Sequence, residues 1–267
     1  DHRFSDSDSV FVRFNKDDSD RSSPGFNTAT VSTTGNRFTT VEDTHIYSPA
    51  LLGKTHLSFN RTIFGDVDHP LPGFTFPKER FADIDVAIGS IGVTNLSGWG
   101  GGTTTPRINA LNTWQFKEEG IWSKGRHSTK FGYQAERFQY NIRGDFNAGG
   151  TWNFSSIADY LASTVNTATF TAPGSDSHRT WVQSLHGFYF QDDINLRPGL
   201  TLNAGLRYEF VTVPAERYGR SATVRDITSP HLNTVTPTTT DVGPMFANPS
   251  LHNFAPRVGF AWDVFGK

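Results

Sequence analysis

The residues able to do chemistry are scattered along the chain. Nine His occur in 267 residues, and none falls in a His-x-x-x-His or HExxH pattern, the spacings that put zinc ligands on one helix face. His45 and His56 lie where one hairpin would set them across from each other, but a metal site needs a third ligand and supporting hydrogen bonds. Asp6-Ser7-Asp8 and Asp17-Asp18-Ser19-Asp20 have the look of calcium loops, yet no Gly and Glu follow at the required spacing. Glu118-Glu119 and Asp192-Asp193 are adjacent carboxylates. Neighbours in a strand point to opposite faces, so neither couple can act as a paired acid and base. Gly98-Trp99-Gly100-Gly101-Gly102 has no following Lys-Ser/Thr, so it is no phosphate loop, and no G-x-S-x-G nucleophile elbow occurs. The expectation is a protein that is not an enzyme and uses no metal or cofactor.

The elements that carry these residues are strands. Aromatics, Thr, Gly and Asn are plentiful, with 23 Phe and 25 Gly against one Met, a composition that favours β structure with polar loops. A formal net charge of -2 and the lack of Lys/Arg runs argue against nucleic acid as a partner. With no Cys, disulfide scaffolds and Cys-ligated metal sites are excluded. No apolar stretch is long enough for a transmembrane helix, and the first residues have no signal-peptide core. Two classes survive: a soluble secreted β-protein, and a transmembrane β-barrel or part of one.

Period-2 alternation predicts strands at 8–16, 37–47, 53–64, 110–122, 127–142, 178–196, 200–213 and 256–265, with a ninth if residues 1–4 end another. In 200–213, Leu202, Ala204, Leu206, Tyr208 and Phe210 share one face, and Asn203, Gly205, Arg207 and Glu209 share the other. In 256–265, Val258, Phe260, Trp262 and Val264 oppose Arg257, Gly259, Ala261 and Asp263. The 127–142 pattern switches phase from Phe131, Tyr133 and Ala135 to Phe138, Tyr140 and Ile142, which a bulge or an exit from the buried zone would explain. Tight turns are expected at 48–50, 123–126 and 197–199, where Pro and Gly supply turn geometry. Long polar stretches at 17–36, 65–109, 143–177 and 214–255 alternate with them. Compact soluble domains rarely hold so many long loops, whereas an outer-membrane barrel has short turns at one rim and long loops at the other. Trp122, Trp181 and Tyr140 suit an interfacial aromatic girdle. One helix is predicted near 156–165, begun by Ser156 and Asp159, with Ile157, Tyr160, Leu161 and Val165 on one face.

Phe188 to Glu209 (FYFQDDINLRPGLTLNAGLRYE) resembles a barrel hairpin of the TonB-dependent outer-membrane receptors, in particular their Oar-like branch. Arg126 to Gly132 (RHSTKFG) resembles the strand start before it, and Asn253 to Asp263 (NFAPRVGFAWD) a strand after it. Asp1 to Ser5 and Thr44 to Pro49 match family habits more weakly. The resemblance runs over most of the chain and rests on the order and spacing of modest motifs. It implies an all-β, up-and-down antiparallel barrel of roughly 22 strands around a plug, placed in the outer membrane of a Gram-negative cell and driven through TonB to import a scarce solute. No plug, TonB box or closing strand is recognisable. The expectation is that residues 1–267 form a partial barrel domain, about eight or nine of those strands, with plug and C-terminal strands absent.

On that resemblance Leu202, Leu206, Tyr208, Phe210, Val258, Phe260 and Trp262 would face lipid, and Asn203, Arg207, Glu209, Arg257 and Asp263 the lumen. The partners implied are outer-membrane lipid, the plug and TonB system through other parts of the parent chain, and an unidentified solute. An Arg207/Glu209 ion pair would be structural. Ligand contacts would come from the long loops, with Gly98–Gly102, Phe74, Phe76 and Phe81 as candidates beside a plain packing role. Other readings stay open: an adhesion or scaffold barrel, a soluble β-sandwich binding module, and a complete eight-stranded barrel.

Overall fold

The computed structural model describes residues 1–75, 89–172, 174–224, 240–242 and 250–264. Nine strands dominate it: β1 (His2–Arg3), β2 (Asp8–Pro24), β3 (Thr28–Ser48), β4 (Leu51–Pro70), β5 (Arg107–Lys124), β6 (His127–Gly144), β7 (Arg179–Arg197), β8 (Leu200–Val211) and β9 (Phe254–Trp262). They pair antiparallel in chain order within one sheet. Each predicted strand is present. The short Ala215–Glu216 strand adds to β7 beyond the end of β8.

Because neighbours alternate in direction, every connection falls at one of two rims. Residues 49–50, 125–126 and 198–199 make the tight turns of one rim. Their backbones are tied side by side: Ser123 N–H donates to Ala50 O at 2.8 Å, Asn195 N–H to Arg126 O at 2.8 Å, and Asp263 N–H to Gly199 O at 2.7 Å. Gly125 (φ 63°) and Gly199 (φ 77°) occupy the left-handed conformation these turns require. The connections 71–106, 145–178 and 212–253 fall at the opposite rim, as expected.

The first expected long loop, 17–36, is instead strand. β2 and β3 pair without interruption from Asp8↔His45 to Pro24↔Ala29, leaving a tight connection at 25–27. Its residues are polar on both faces, so it lacks the alternation of a half-buried strand. A hairpin standing in water needs none, and cross-strand bonds such as Ser19 to Thr34 at 2.8 Å support it. Of the two explanations for the phase switch in 127–142, a bulge or an exit from the buried zone, the bulge is absent, since β6 stays in register with both neighbours. The phase switch reflects a change in which face carries the apolar residues. Among the described residues, register shifts occur only beside the tight turns, at Ile46/Ser48 and Asn195/Arg197.

The large sheet is a single layer. Among the described residues no large side chain is fully buried, and the one buried apolar cluster, Ile91, Val93 and Phe154, lies outside it. That cluster belongs to a small sheet at the long-loop rim, made of Ser90–Val93, Trp99–Gly100, Thr151–Phe154 and Thr167–Thr169. One helix, α1 (Ile157–Leu161), packs there, begun as expected by Ser156, whose Oγ accepts from Asp159 N–H at 3.1 Å. Of its predicted apolar face only Tyr160 packs, edge-on to Trp99 and Phe154. Ile157, Leu161 and Val165 are exposed, because a helix this short presents a single turn to the sheet. No helix among the described residues is long and apolar enough to cross a membrane, which says nothing of crossing by strands.

Candidate functional site

In an antiparallel pair, residues directly opposite each other share a face. Phe190 stands opposite Leu206 and Phe131, and Phe188 opposite Tyr208 and Tyr133. Leu202 stands opposite Phe260, Ala204 opposite Val258 and Leu200 opposite Trp262. Leu202, Leu206, Tyr208, Phe210, Val258, Phe260 and Trp262 therefore share one face, with rings in contact: Tyr133 and Phe188 lie 4.7 Å apart, Tyr208 and Phe254 4.6 Å. Asn203, Arg207, Glu209 and Arg257 lie on the other face, and Asp263 follows β9 at the turn rim.

The exposed apolar side chains form a slanting band. It joins Val12 and Phe14 on β2, Leu57 on β4, Trp114 and Phe116 on β5, Phe131 on β6, Phe188 and Phe190 on β7, Leu206 on β8, and Val258 and Phe260 on β9. The row of opposed residues through Val12 runs instead to Val41, Leu57, Phe116, Ala135, His186 and Phe210. Continued past Tyr208↔Phe254, that row reaches β9 at residue 252, eight residues before Phe260. The band thus drifts by about one residue per strand. At about 3.4 Å per residue and about 4.8 Å between strands, a level band requires strands tilted by roughly 35–40°.

Glycines let aromatics lie flat across this sheet. Phe131 covers Gly120, where a Cβ would come within 2.4 Å of its ring, and Tyr47 covers Gly53. The face is not wholly apolar. Asp43, Thr55 and Glu118 share one row, and Thr55 Oγ1 donates to Glu118 at 2.6 Å. Trp114 and Phe116 belong to the band; the sequence reading did not single them out, because 110–122 alternates less cleanly than 200–213. Of the expected girdle, Trp122 lies on the apolar face, but Trp181 and Tyr140 stand opposite each other on the polar face, where Tyr140 donates to Asn109 at 2.9 Å. They belong to the segment where the pattern has changed face.

The polar face carries a network across the middle strands. Lys54 and His56 each approach Glu42 at 3.7 Å, Lys117 pairs with Glu119 at 3.2 Å, and Tyr189 donates to Glu119. Arg207 Nη2 and Glu209 Oε1 pair at 2.5 Å along one strand, so this ion pair is internal to β8. His45 and His56 do not meet: His45 binds Asp8 on the apolar face, and His56 faces Glu42. The adjacent carboxylates are split as expected, with Asp192 held by His127 and Asp193 on the opposite face. No cluster of three potential metal ligands occurs among the described residues.

Each long connection is pinned at its root by a buried carboxylate that sequence inspection did not single out. Asp68, 6% exposed, accepts from Thr30 Oγ1 and Gly102 N–H, both at 2.6 Å, and from Thr105. Asp145 accepts from Arg143 at 2.5 Å and from Ser177. Glu216 accepts backbone N–H groups of Thr180 and Tyr218 at 2.9 Å and of Arg220 at 2.7 Å. Burial opposes its charge, yet these three donors more than offset that and hold its carboxyl below the usual carboxylate range. The glycine-rich stretch serves packing. Gly100 (φ 96°) lies against Gly89 and is held by Asn27 and Thr28, while Trp99 meets Tyr160. Phe74 rests on Phe26 with ring centres 6.0 Å apart. Phe76 and Phe81 lie outside the described residues.

The sequence matches the profile of the outer membrane beta barrel domain family over residues 1–267. No curated protein and no solved structure matches the chain.

Proposed function

The chain belongs to the outer membrane beta barrel domain family, and from that premise we propose that its sheet is a segment of the wall of a TonB-dependent receptor of the Oar-like kind. The slanting apolar band carries this reading. A soluble sandwich would cover such a band with a second layer, whereas strands crossing a bilayer at roughly 35–45° present a level belt to lipid. Leu206, Phe188 and Phe260 meet lipid in this arrangement, and Arg207, Glu209, Glu119 and Lys54 line a watery interior. The outer edge of β9 and most of that of β2 are unpaired among the described residues. In hydrocarbon every backbone N–H and C=O needs a partner, so further strands complete the wall.

Import of a scarce solute is supported by the motifs of 126–132, 188–209 and 253–263, and by a rim of long, anchored loops suited to recognition. Two measurements test the reading. Polarised infrared spectroscopy of the full-length parent protein in oriented bilayers should give a strand tilt of about 35–45°; random orientation removes the membrane wall. The parent should also bind the periplasmic domain of TonB. A correctly inserted barrel that does not bind it is an adhesion or scaffold protein instead.

A further inference from the structure

The apolar face changes character toward the long-loop rim. Lys16, Arg37 and Arg61 stand directly opposite one another on β2, β3 and β4. Arg137 lies on the same face of β6, opposite Trp114 and Ser184. Each cation is four residues toward the long-loop rim from an apolar or aromatic residue on its own strand: Val12, Val41, Leu57 and Tyr133. The cations therefore form a second band parallel to the first. Four residues on a tilted strand rise about 11 Å, close to half the roughly 25 Å apolar height of an outer-membrane barrel. That height is the headgroup level.

Like charges directly opposite across strands are destabilising, and little here neutralises them. Asp18 serves both Lys16 at 3.0 Å and Arg37 at 2.6 Å. Among the described residues Arg61 bonds only the neutral Asn112, at 2.8 Å, and Arg137 has no acidic partner. Toward the turn rim the corresponding positions are Asp8, His45, Gly53 and Thr129, with Asp8 binding His45 and Asp192 accepting from Thr129 at 3.0 Å. At these corresponding positions the turn side carries no Lys or Arg; Lys124 and Arg197 stand farther out on that face, at the turns, with Arg197 over the Trp262 ring.

We propose that Lys16, Arg37, Arg61 and Arg137 form a docking surface for a phosphate-bearing lipid headgroup of the leaflet on the long-loop side. The inference rests on the membrane reading above. Guanidinium groups match phosphate oxygens in a planar fork, long basic side chains extend along apolar surface to reach the interface, and the aromatic band beneath accommodates the acyl chains.

The test uses the full-length parent protein in phosphatidylcholine vesicles containing a minor fraction of lipid A or of dephosphorylated lipid A, with retained lipid read by native mass spectrometry. The wild type should retain the phosphorylated form preferentially. The double variant Arg61→Gln, Arg137→Gln should lose about fivefold of that preference for each guanidinium removed. Lys54→Gln with Lys117→Gln, on the polar face, should keep it. Heat-modified gel mobility reports folding; should the double variant misfold, Arg137→Gln alone carries the test, since that side chain is exposed and has no ion-pair partner among the described residues. A wild type that inserts but retains both lipids equally overturns this proposal alone, as does a folded variant with undiminished preference. A wild type that enters no vesicle overturns the membrane reading and this proposal with it.

Discussion

Tyr189 lies across the backbone of Gly132, so that a Cβ added to the glycine would stand 2.7 Å from the phenol oxygen and 2.5 Å from the carbonyl oxygen of Glu118. The ring could swing aside, but the carbonyl belongs to the ladder and cannot. Gly132→Ala should cost about 1–3 kcal/mol and weaken the Tyr189–Glu119 bond. Urea unfolding of the detergent-folded barrel, followed by gel mobility, measures it; an unchanged midpoint would mean that the strands separate freely at this point.

The two faces predict opposite tolerance to charge. Leu206→Arg should destabilise the barrel in bilayers by roughly 2–4 kcal/mol, whereas Asn203→Arg on the polar face should change little. Folding titrations into vesicles compare them directly. Equal costs would remove the distinction between lipid and lumen sides.

Asp68 is the buried acceptor at the root of the 71–106 connection. Asp68→Asn replaces one acceptor oxygen with a donor and takes that acceptor from Thr30 Oγ1 or from Gly102 N–H and Thr105 Oγ1 together, at a cost of about 1–3 kcal/mol. Limited proteolysis within 71–106 should accelerate by about tenfold while β4 and β5 stay protected. Unaltered cleavage would show that Asn27 and Thr28 suffice to hold the loop.

Glu216 makes the 212–253 root sensitive to acid. Its carboxyl is lowered in the folded state, so the stability it supplies is fully present above the ordinary Glu value of about 4.3 and is lost as pH falls through the lowered folded value. Hydrogen-exchange protection of the Thr180, Tyr218 and Arg220 amides should hold from neutral pH down to about 5 and fall only below about 4. In Glu216→Gln the protection should be weaker throughout and lose its acid dependence.

What was legible in the sequence follows from which forces act locally. Alternation placed the strands, and Pro-Gly and Gly-Arg turns placed their order, because each depends on neighbouring residues alone. Both faces of β8 could be read residue by residue. The 17–36 segment could not, since Asp18, Ser19, Thr33 and Thr34 stand in water and leave no apolar trace of their strand. Nor could Asp68, Asp145 or Glu216, whose donors arrive from residues up to 38 positions away. The cationic band emerges only when β2, β3, β4 and β6 are aligned by register. Tyr140 and Trp181 show the same limit, since an aromatic at a strand end does not reveal which way it points.

The single-layered build has a thermodynamic consequence. With no large side chain fully buried among the described residues, the greasy half of this molecule's interior is supplied by whatever surrounds it. A free energy of unfolding is then a property of chain and bilayer jointly, and changing acyl length should move it as surely as a core mutation moves that of a water-soluble domain. Unfolding that leaves Phe188, Leu206 and Phe260 still immersed in lipid should also show a much smaller heat-capacity increment than the chain's length suggests, because little apolar surface exchanges hydrocarbon for water.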